Sequence, residues 1–276
     1  GFLYSGKNRG NSGVELILEK DGSLEIKTGA SSAEYAPIWQ KLAQDILALE
    51  ASQIRIKTDL SGSPDSGPAS LSRNITALTK LVERCCHIIR KQRFRDPLPI
   101  VVRRQVRPAK FSPWDQKDLA ADGGAFAHLG WAAAVVEVEI DTVSFCPKIR
   151  GVWLSVDGGR ILSEPRARRS LKTASIHALG WASREEIAYR EGRIPDEMIR
   201  RYDIPPPGEI PPVSIDFILN DTAIPRGIGE LPFNCIPAAY VQGVSQAMDH
   251  PFGKIPLTGR DVWEAGKLKR GKEALR

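Results

Sequence analysis

The sequence predicts an α+β protein of two lobes, each a mainly antiparallel or mixed sheet packed with helices. Three observations carry that prediction. Paired strand patterns occur in two places far apart, at residues 14–27 and 132–156. Each pair is followed by a long stretch with apolar residues at helical spacing. Between the two sets, residues 97–131 break into prolines and glycines without sustained periodicity, which marks a boundary. The lobes are accordingly expected at residues 1–110 and 111–276. With 276 residues, 42% of them hydrophobic and 26% charged, the chain can bury a sizeable core.

The first dozen residues, rich in Gly, Asn and Ser, run abruptly into a strand, as expected of a chain that starts inside a larger protein. Val14–Leu18 and Leu24–Lys27 flank Lys20-Asp21-Gly22-Ser23, and an Asp-Gly step between alternating runs predicts a hairpin. Ile38, Trp39, Leu42, Ile46 and Leu49 then recur at helical spacing, with Pro37 tolerated in the first turn. Ile54-Arg55-Ile56 alternates as a short strand, giving a β-β-α-β unit. Asp59 to Ser72 is a loop of Gly, Ser, Pro and Asp, and Ser72 is a plausible N-cap for a long helix that buries Leu78, Leu81, Val82, Cys85, Ile88 and Ile89. Such a loop running into a helix start is either a turn with a cap or a site for an anionic, phosphate-bearing ligand.

The second lobe opens with a hairpin of Ala132–Ile140 and Ile149–Val156, closed by the Asp157-Gly158-Gly159 turn. A helix is predicted from about Ala167 to Ser183. Six prolines fall from Gly192 to Pro212, so that segment reads as an extended surface crossing. Val213–Leu219 follows as a strand. After Glu230 a helix places Ile236, Tyr240, Val244 and Met248 on one stripe, Asp261–Ala265 forms a helical turn, and Lys267–Arg276 is a basic end that frays.

The formal charge of +6 is spread over helices and loops apart from Arg103-Arg104, Arg166–Arg169 and the tail, which reads as a solvated basic surface. Aromatic residues do not interleave with those runs, so a nucleic-acid partner is not expected. No apolar run approaches the roughly 18 residues of a membrane span. Cys85, Cys86, Cys146 and Cys235 lack metal-site spacing and read as buried thiols, which suits a reducing, cytoplasmic compartment.

One stretch stands out chemically. Ile224-Pro225-Arg226-Gly227-Ile228-Gly229-Glu230-Leu231-Pro232-Phe233 puts a carboxylate between a glycine-rich turn and a new helix. At a helix start the unsatisfied N–H groups and the positive end of the macrodipole favour an ionised carboxylate, as a general base requires. The competing reading is a helix-start charge with no chemical role.

Asp157-Gly158-Gly159-Arg160, Gly227-Ile228-Gly229-Glu230-Leu231-Pro232 and Ile255-Pro256-Leu257-Thr258, in this order and with the opening hairpin, resemble the molybdopterin-binding large subunit of the xanthine dehydrogenase/aldehyde oxidase family. The resemblance is to its C-terminal, second molybdenum-cofactor domain. It implies the α+β fold of that domain and an oxidoreductase that hydroxylates an electron-poor carbon of an aldehyde or N-heterocycle using water. Glu230 takes the place of the family's general base. Pro64–Arg73 is similar to the loop that holds the pterin and its phosphate, which implies cofactor contacts from Gly67, Ala69, Ser70, Ser72 and Arg73, and from Gly229 beside the base.

Two positions depart from the family pattern. A Gly-Gln-Gly word gives way to Ala30-Ser31-Ser32-Ala33-Glu34-Tyr35-Ala36, leaving Tyr35 as the donor there, and His177 stands where a pterin-facing glutamine is expected. A lone helical histidine is also commonly a structural residue. The resemblance further implies a molybdenum–molybdopterin cofactor, including its dinucleotide form, shared with an N-terminal cofactor domain outside these residues. Iron–sulfur and FAD groups are implied only on partner subunits, with no side-chain metal ligand here and no activity for this piece alone. The alternative is a non-catalytic structural or assembly relative that keeps the fold without a working site.

Overall fold

The computed structural model describes residues 2–4, 12–29, 35–57, 62–66, 73–106, 126–200, 202–218 and 224–273. The chain divides into two compact units: Phe2–Leu129 with Ile224–Gly227, and Gly130–Ala223 with Ile228–Arg276.

The first unit begins with β1 (Phe2–Tyr4), followed by β2 (Gly13–Leu18) and β3 (Leu24–Lys27). β2 and β3 form the predicted antiparallel hairpin, with Leu18 opposite Leu24. Its turn is locked by Asp21, whose Oδ1 accepts from the Ser23 amide at 2.9 Å, while Gly22 adopts φ 80°. Helix α1 (Ala36–Leu47) leads into β4 (Ile54–Lys57), which pairs with β3 in parallel. Helix α2 (Arg73–Gln92) follows, then β5 (Ile100–Gln105) and β6 (Phe126–Leu129). Ile100–Val102, within the stretch expected to be a boundary without sustained periodicity, is instead part of a full strand that pairs antiparallel with β2. The reason is burial: Ile100 and Val102 join the same core as Val14, Leu16 and Leu18. The main sheet therefore runs β4-β3-β2-β5, with β1 and β6 as a separate ribbon.

α1 and α2 pack together, and the core they cover holds Trp39, 1% exposed, with Leu16, Ile26, Leu78 and Ile89. The Trp39 indole Nε1 donates to Thr79 Oγ1 at 3.0 Å, so the largest core side chain is also satisfied as a donor. Arg93 Nη1 donates to the Leu47 carbonyl at 2.6 Å and ties the two helix ends together.

The second unit holds β7 (Trp131–Ile140), β8 (Pro147–Asp157), α3 (Glu164–Ser183), α4 (Asp196–Arg200), β9 (Val213–Phe217), α5 (Leu231–Met248) and α6 (Gly259–Glu273). β7 and β8 form the second hairpin, irregular between Glu137 and Val138, and β9 adds in parallel to β8. α3 begins a turn earlier than expected because Pro165, at the helix start, suits its fixed φ to that position. The crossing at residues 192–212 is not wholly extended: it contains α4 and a short turn at Pro207–Glu209. Of the Lys267–Arg276 stretch expected to fray, residues 267–273 continue α6, which Val262 and Ala265 anchor by burial and in which Lys267 Nζ lies 3.5 Å from the Trp263 ring centroid; residues 274–276 lie outside the described residues.

α5 lies on β7 and against α3. Ile236, Tyr240 and Val244 line its buried stripe, and the Tyr240 hydroxyl donates to the Leu257 carbonyl at 3.0 Å. Burial pushes the Tyr240 phenol up to about 12.

The thiols are not all buried. Cys85 and Cys86 lie in the α2 core, where burial pushes them up to about 11 and about 12, and Cys235 is half-buried and also raised by burial, whereas Cys146 is exposed. The thiolate is the reactive form. In the native protein at mildly alkaline pH, one thiol is therefore expected to react rapidly with a disulfide reagent, and Cys146→Ser should remove that phase. A fast phase surviving in Cys146→Ser would contradict this placement.

Candidate functional site

Glu230 is the residue immediately before α5, at φ −111° and ψ 4°. Its neighbour Leu231 is 1% exposed and packs with Leu154, Val156, Leu171 and Ile215. The Leu231 amide donates to the Ile228 carbonyl at 3.2 Å, and Pro232 carries no N–H. The helix start is thus fixed by burial on one side while Glu230 itself is exposed. Its side chain makes no capping hydrogen bond, and it has no ion-pair partner among the described residues. A carboxylate at the positive end of a helix dipole, not consumed by a cap, is available to an outside proton donor. Gly229 precedes it and is half-buried.

The proposed pterin loop belongs to the first unit. Gly67, Ala69, Ser70 and Ser72 lie outside the described residues, and Arg73 is described only as the first residue of α2. The approach to the loop is well defined. The Gly13 amide donates to the Asp65 carbonyl at 2.7 Å and the Gly29 amide to the Pro64 carbonyl at 2.8 Å. Backbone lies on backbone here. A Cβ on Gly29 would stand 3.2 Å from the Pro64 oxygen and 3.4 Å from the Ser66 nitrogen. Thr28 reinforces the junction, its hydroxyl donating to the Gly13 carbonyl at 3.1 Å. Sequence reading passed over Gly13 and Gly29; their only signal was a glycine at the end of each hairpin strand.

Tyr35 immediately precedes α1, its ring 5.5 Å from that of Trp39 and packed against the core. His177 is exposed on α3 and lines a 420 Å³ cavity with Ile176, Trp181, Glu185, Ile204, Pro205 and Phe233. Phe233 belongs to the first turn of α5, three residues past Glu230, and its ring lies 6.2 Å from that of Trp181. Sequence reading did not single out Trp181, Glu185 or Phe233, because the chain comes together there only through tertiary packing. Among the described residues no group of three or more His, Cys, Asp or Glu is arranged to hold a metal ion. No helix among them is long and apolar enough to cross a membrane.

The family description "Molybdopterin cofactor-binding domain" matches residues 102–211. A probable xanthine dehydrogenase subunit of Bacillus subtilis (strain 168) is 29% identical over 147 residues, which is 52% of this chain and 20% of that protein. The fold is similar to that of a reconstituted CO dehydrogenase from Oligotropha carboxidovorans, with TM-score 0.79, 12% identity and coverage of 97% of this chain and 39% of that one. It is also similar to the aldehyde oxidoreductase of Desulfovibrio gigas, with TM-score 0.75, 18% identity and coverage of 96% and 32%. Quinoline 2-oxidoreductase from Pseudomonas putida 86 gives TM-score 0.74 at 14% identity, covering 92% and 38%. The chain therefore spans a fifth of the curated relative and well under half of these solved chains. The chain is thus similar in sequence to molybdopterin cofactor-binding domains over residues 102–211 and to a xanthine dehydrogenase subunit over 147 residues, and it shares the fold of these solved chains.

Proposed function

We propose that this chain is the base-bearing part of a molybdenum hydroxylase, with Glu230 as the general base. The observation that carries the proposal is the exposed Glu230 carboxylate, uncapped and without an ion pair among the described residues, on a helix start whose next residue is locked in the core. A base must be held in place without its lone pairs being spent, and this arrangement does both.

Two features support a pterin group here. The approach to the loop is held by backbone hydrogen bonds at Gly13 and Gly29, and a small-residue loop entering a helix start suits a phosphate. Gly67, Ala69, Ser70, Ser72 and Arg73 would hold the pterin and its phosphate, with Tyr35, His177 and Gly229 as further contacts. When bound, the molybdenum–pterin group supplies the oxygen-transfer and electron-accepting chemistry. Glu230 accepts, at a carboxylate oxygen, the proton released as water-derived oxygen is delivered to an electron-poor carbon of an aldehyde or N-heterocycle. The dinucleotide form of the cofactor, an N-terminal cofactor domain, and iron–sulfur and flavin partner subunits belong to the same proposal. So does cytoplasmic placement.

Turnover of the complete enzyme with Glu230→Gln, with cofactor content measured alongside, tests this reading. Unchanged turnover removes Glu230 from the mechanism. One observation favours the second reading, a non-catalytic relative: Ala30–Ala36 and His177 replace both glutamine positions through which the family touches the cofactor.

A further inference from the structure

The cavity between the end of α3, the start of α5 and the proline-rich crossing has a chemistry that the hydroxylase reading does not use. Its walls are apolar and aromatic: Ile176, Ile204, Pro205, Phe233 and Trp181, the last 44% exposed. The two rings are tilted by 45° with centroids 6.2 Å apart, and such rings present electron-rich faces.

The polar members are His177, exposed on α3, and Glu185, the one that carries a carboxylate. The chain turns back after α3, the Glu185 amide donating to the Gly180 carbonyl at 2.9 Å, so its carboxylate lies over Gly180. A Cβ on Gly180 would stand 1.9 Å from Glu185 Oε1 and 3.0 Å from Pro205 Cδ, so only glycine leaves room for the carboxylate there. Glu185 Oε2 accepts from the Tyr202 hydroxyl at 2.5 Å, which raises the phenol pKa. No Lys, Arg or His pairs with Glu185 among the described residues. The adjacent Arg184 is turned to Glu209 at 2.7 Å and Asp203 at 3.7 Å. Among the described residues the site thus keeps a half-buried carboxylate that no Lys or Arg pairs with, beside exposed aromatic surface, with His177 on the same wall.

These features choose the ligand class. An anion is repelled, and a neutral apolar ligand would strip water from the carboxylate without replacing it. A bare metal ion would find one carboxylate where several oxygen ligands are needed. A cation with an apolar body satisfies both halves, through the carboxylate and the ring faces. The cavity, at 420 Å³, lies within the roughly 300–1,000 Å³ range of small-molecule sites. We propose that it binds a small organic cation, an ammonium group carried on an aromatic or compact apolar body. This does not depend on Glu230, and of the residues offered to the pterin only His177 stands on the cavity wall.

The test titrates the complete protein, with whatever subunits accompany it, with benzyltrimethylammonium by isothermal calorimetry, with benzyl alcohol as the neutral counterpart. Saturable one-site binding of the cation is expected, about tenfold tighter than the neutral compound. Glu185→Gln should weaken the cation about tenfold and close the gap to benzyl alcohol. Trp181→Leu, which removes a largely exposed ring and spares the core, should weaken the cation as well. No saturable binding at millimolar cation, or equal binding of cation and neutral compound by the wild type, overturns the proposal. Wild-type cation affinity in a folded Glu185→Gln or Trp181→Leu chain overturns it equally.

Discussion

Replacing Glu230 by Gln in the complete enzyme is expected to lower kcat by about 10² to 10⁴ while molybdenum and pterin content stay at the wild-type level. The substitution is nearly isosteric, so shape and helix start are preserved: Leu231 keeps its place in the core and no capping bond is lost, since Glu230 makes none. What disappears is the ability to take a proton. Because that interaction is made in the transition state rather than with bound substrate, the loss should fall on kcat and kcat/KM together, with KM little changed. A Glu230→Gln enzyme that loses its cofactor would instead place Glu230 in cofactor retention. One that turns over normally would leave Glu230 as a helix-start charge.

Trp39→Ala should cost the first unit about 3–5 kcal/mol, the range for removing a fully buried large aromatic side chain. Trp39 is 1% exposed, lies where α1 packs on α2, and satisfies its indole N–H with Thr79. Truncation leaves a cavity that two crossing helices cannot easily close, and it strips Thr79, 3% exposed, of that donor. Urea unfolding followed by circular dichroism measures the loss as a fall in midpoint at unchanged slope. A change below about 1 kcal/mol would mean that Trp39 is not the keystone of this core.

The local elements of both units were legible in sequence because their signals are local. Asp21-Gly22 marks a hairpin wherever it lies between alternating runs, and the stripe of Ile236, Tyr240 and Val244 needs only helical spacing to be read. Strand pairing was less accessible. β4 joins β3 and β9 joins β8 in parallel, and parallel neighbours are chosen by tertiary packing across a crossover rather than by any turn residue. β5 was hidden because Pro97 and Pro99 stand directly before it, so its core-facing Ile100 and Val102 looked like part of a linker. α6 was under-read because Lys267–Glu273 looks like a solvated charge run, yet Lys, Glu, Leu and Arg are all good helix formers once Val262 and Ala265 are anchored.

The candidate site divides in the same way. Glu230 is found from a word of contiguous residues, and its place at the start of α5 agrees with the strand, turn and helix order read from the sequence. The glycines under Pro64 come from contacts between segments distant in the chain, and the carboxylate folded over Gly180 is fixed by the turn that ends α3 and by the Tyr202 hydroxyl; no local pattern announces either. The assignment of the cysteines as uniformly buried failed at Cys146, which lies in the short β7–β8 connection and is exposed.

The most direct measurement of the central claim is the molybdenum and pterin content of the complete protein, purified with whatever subunits accompany it. The proposed function predicts stoichiometric molybdenum with one pterin cofactor per copy of this chain. Reproducible absence of both from preparations that are otherwise intact would contradict it and leave a relative that keeps the fold without the cofactor.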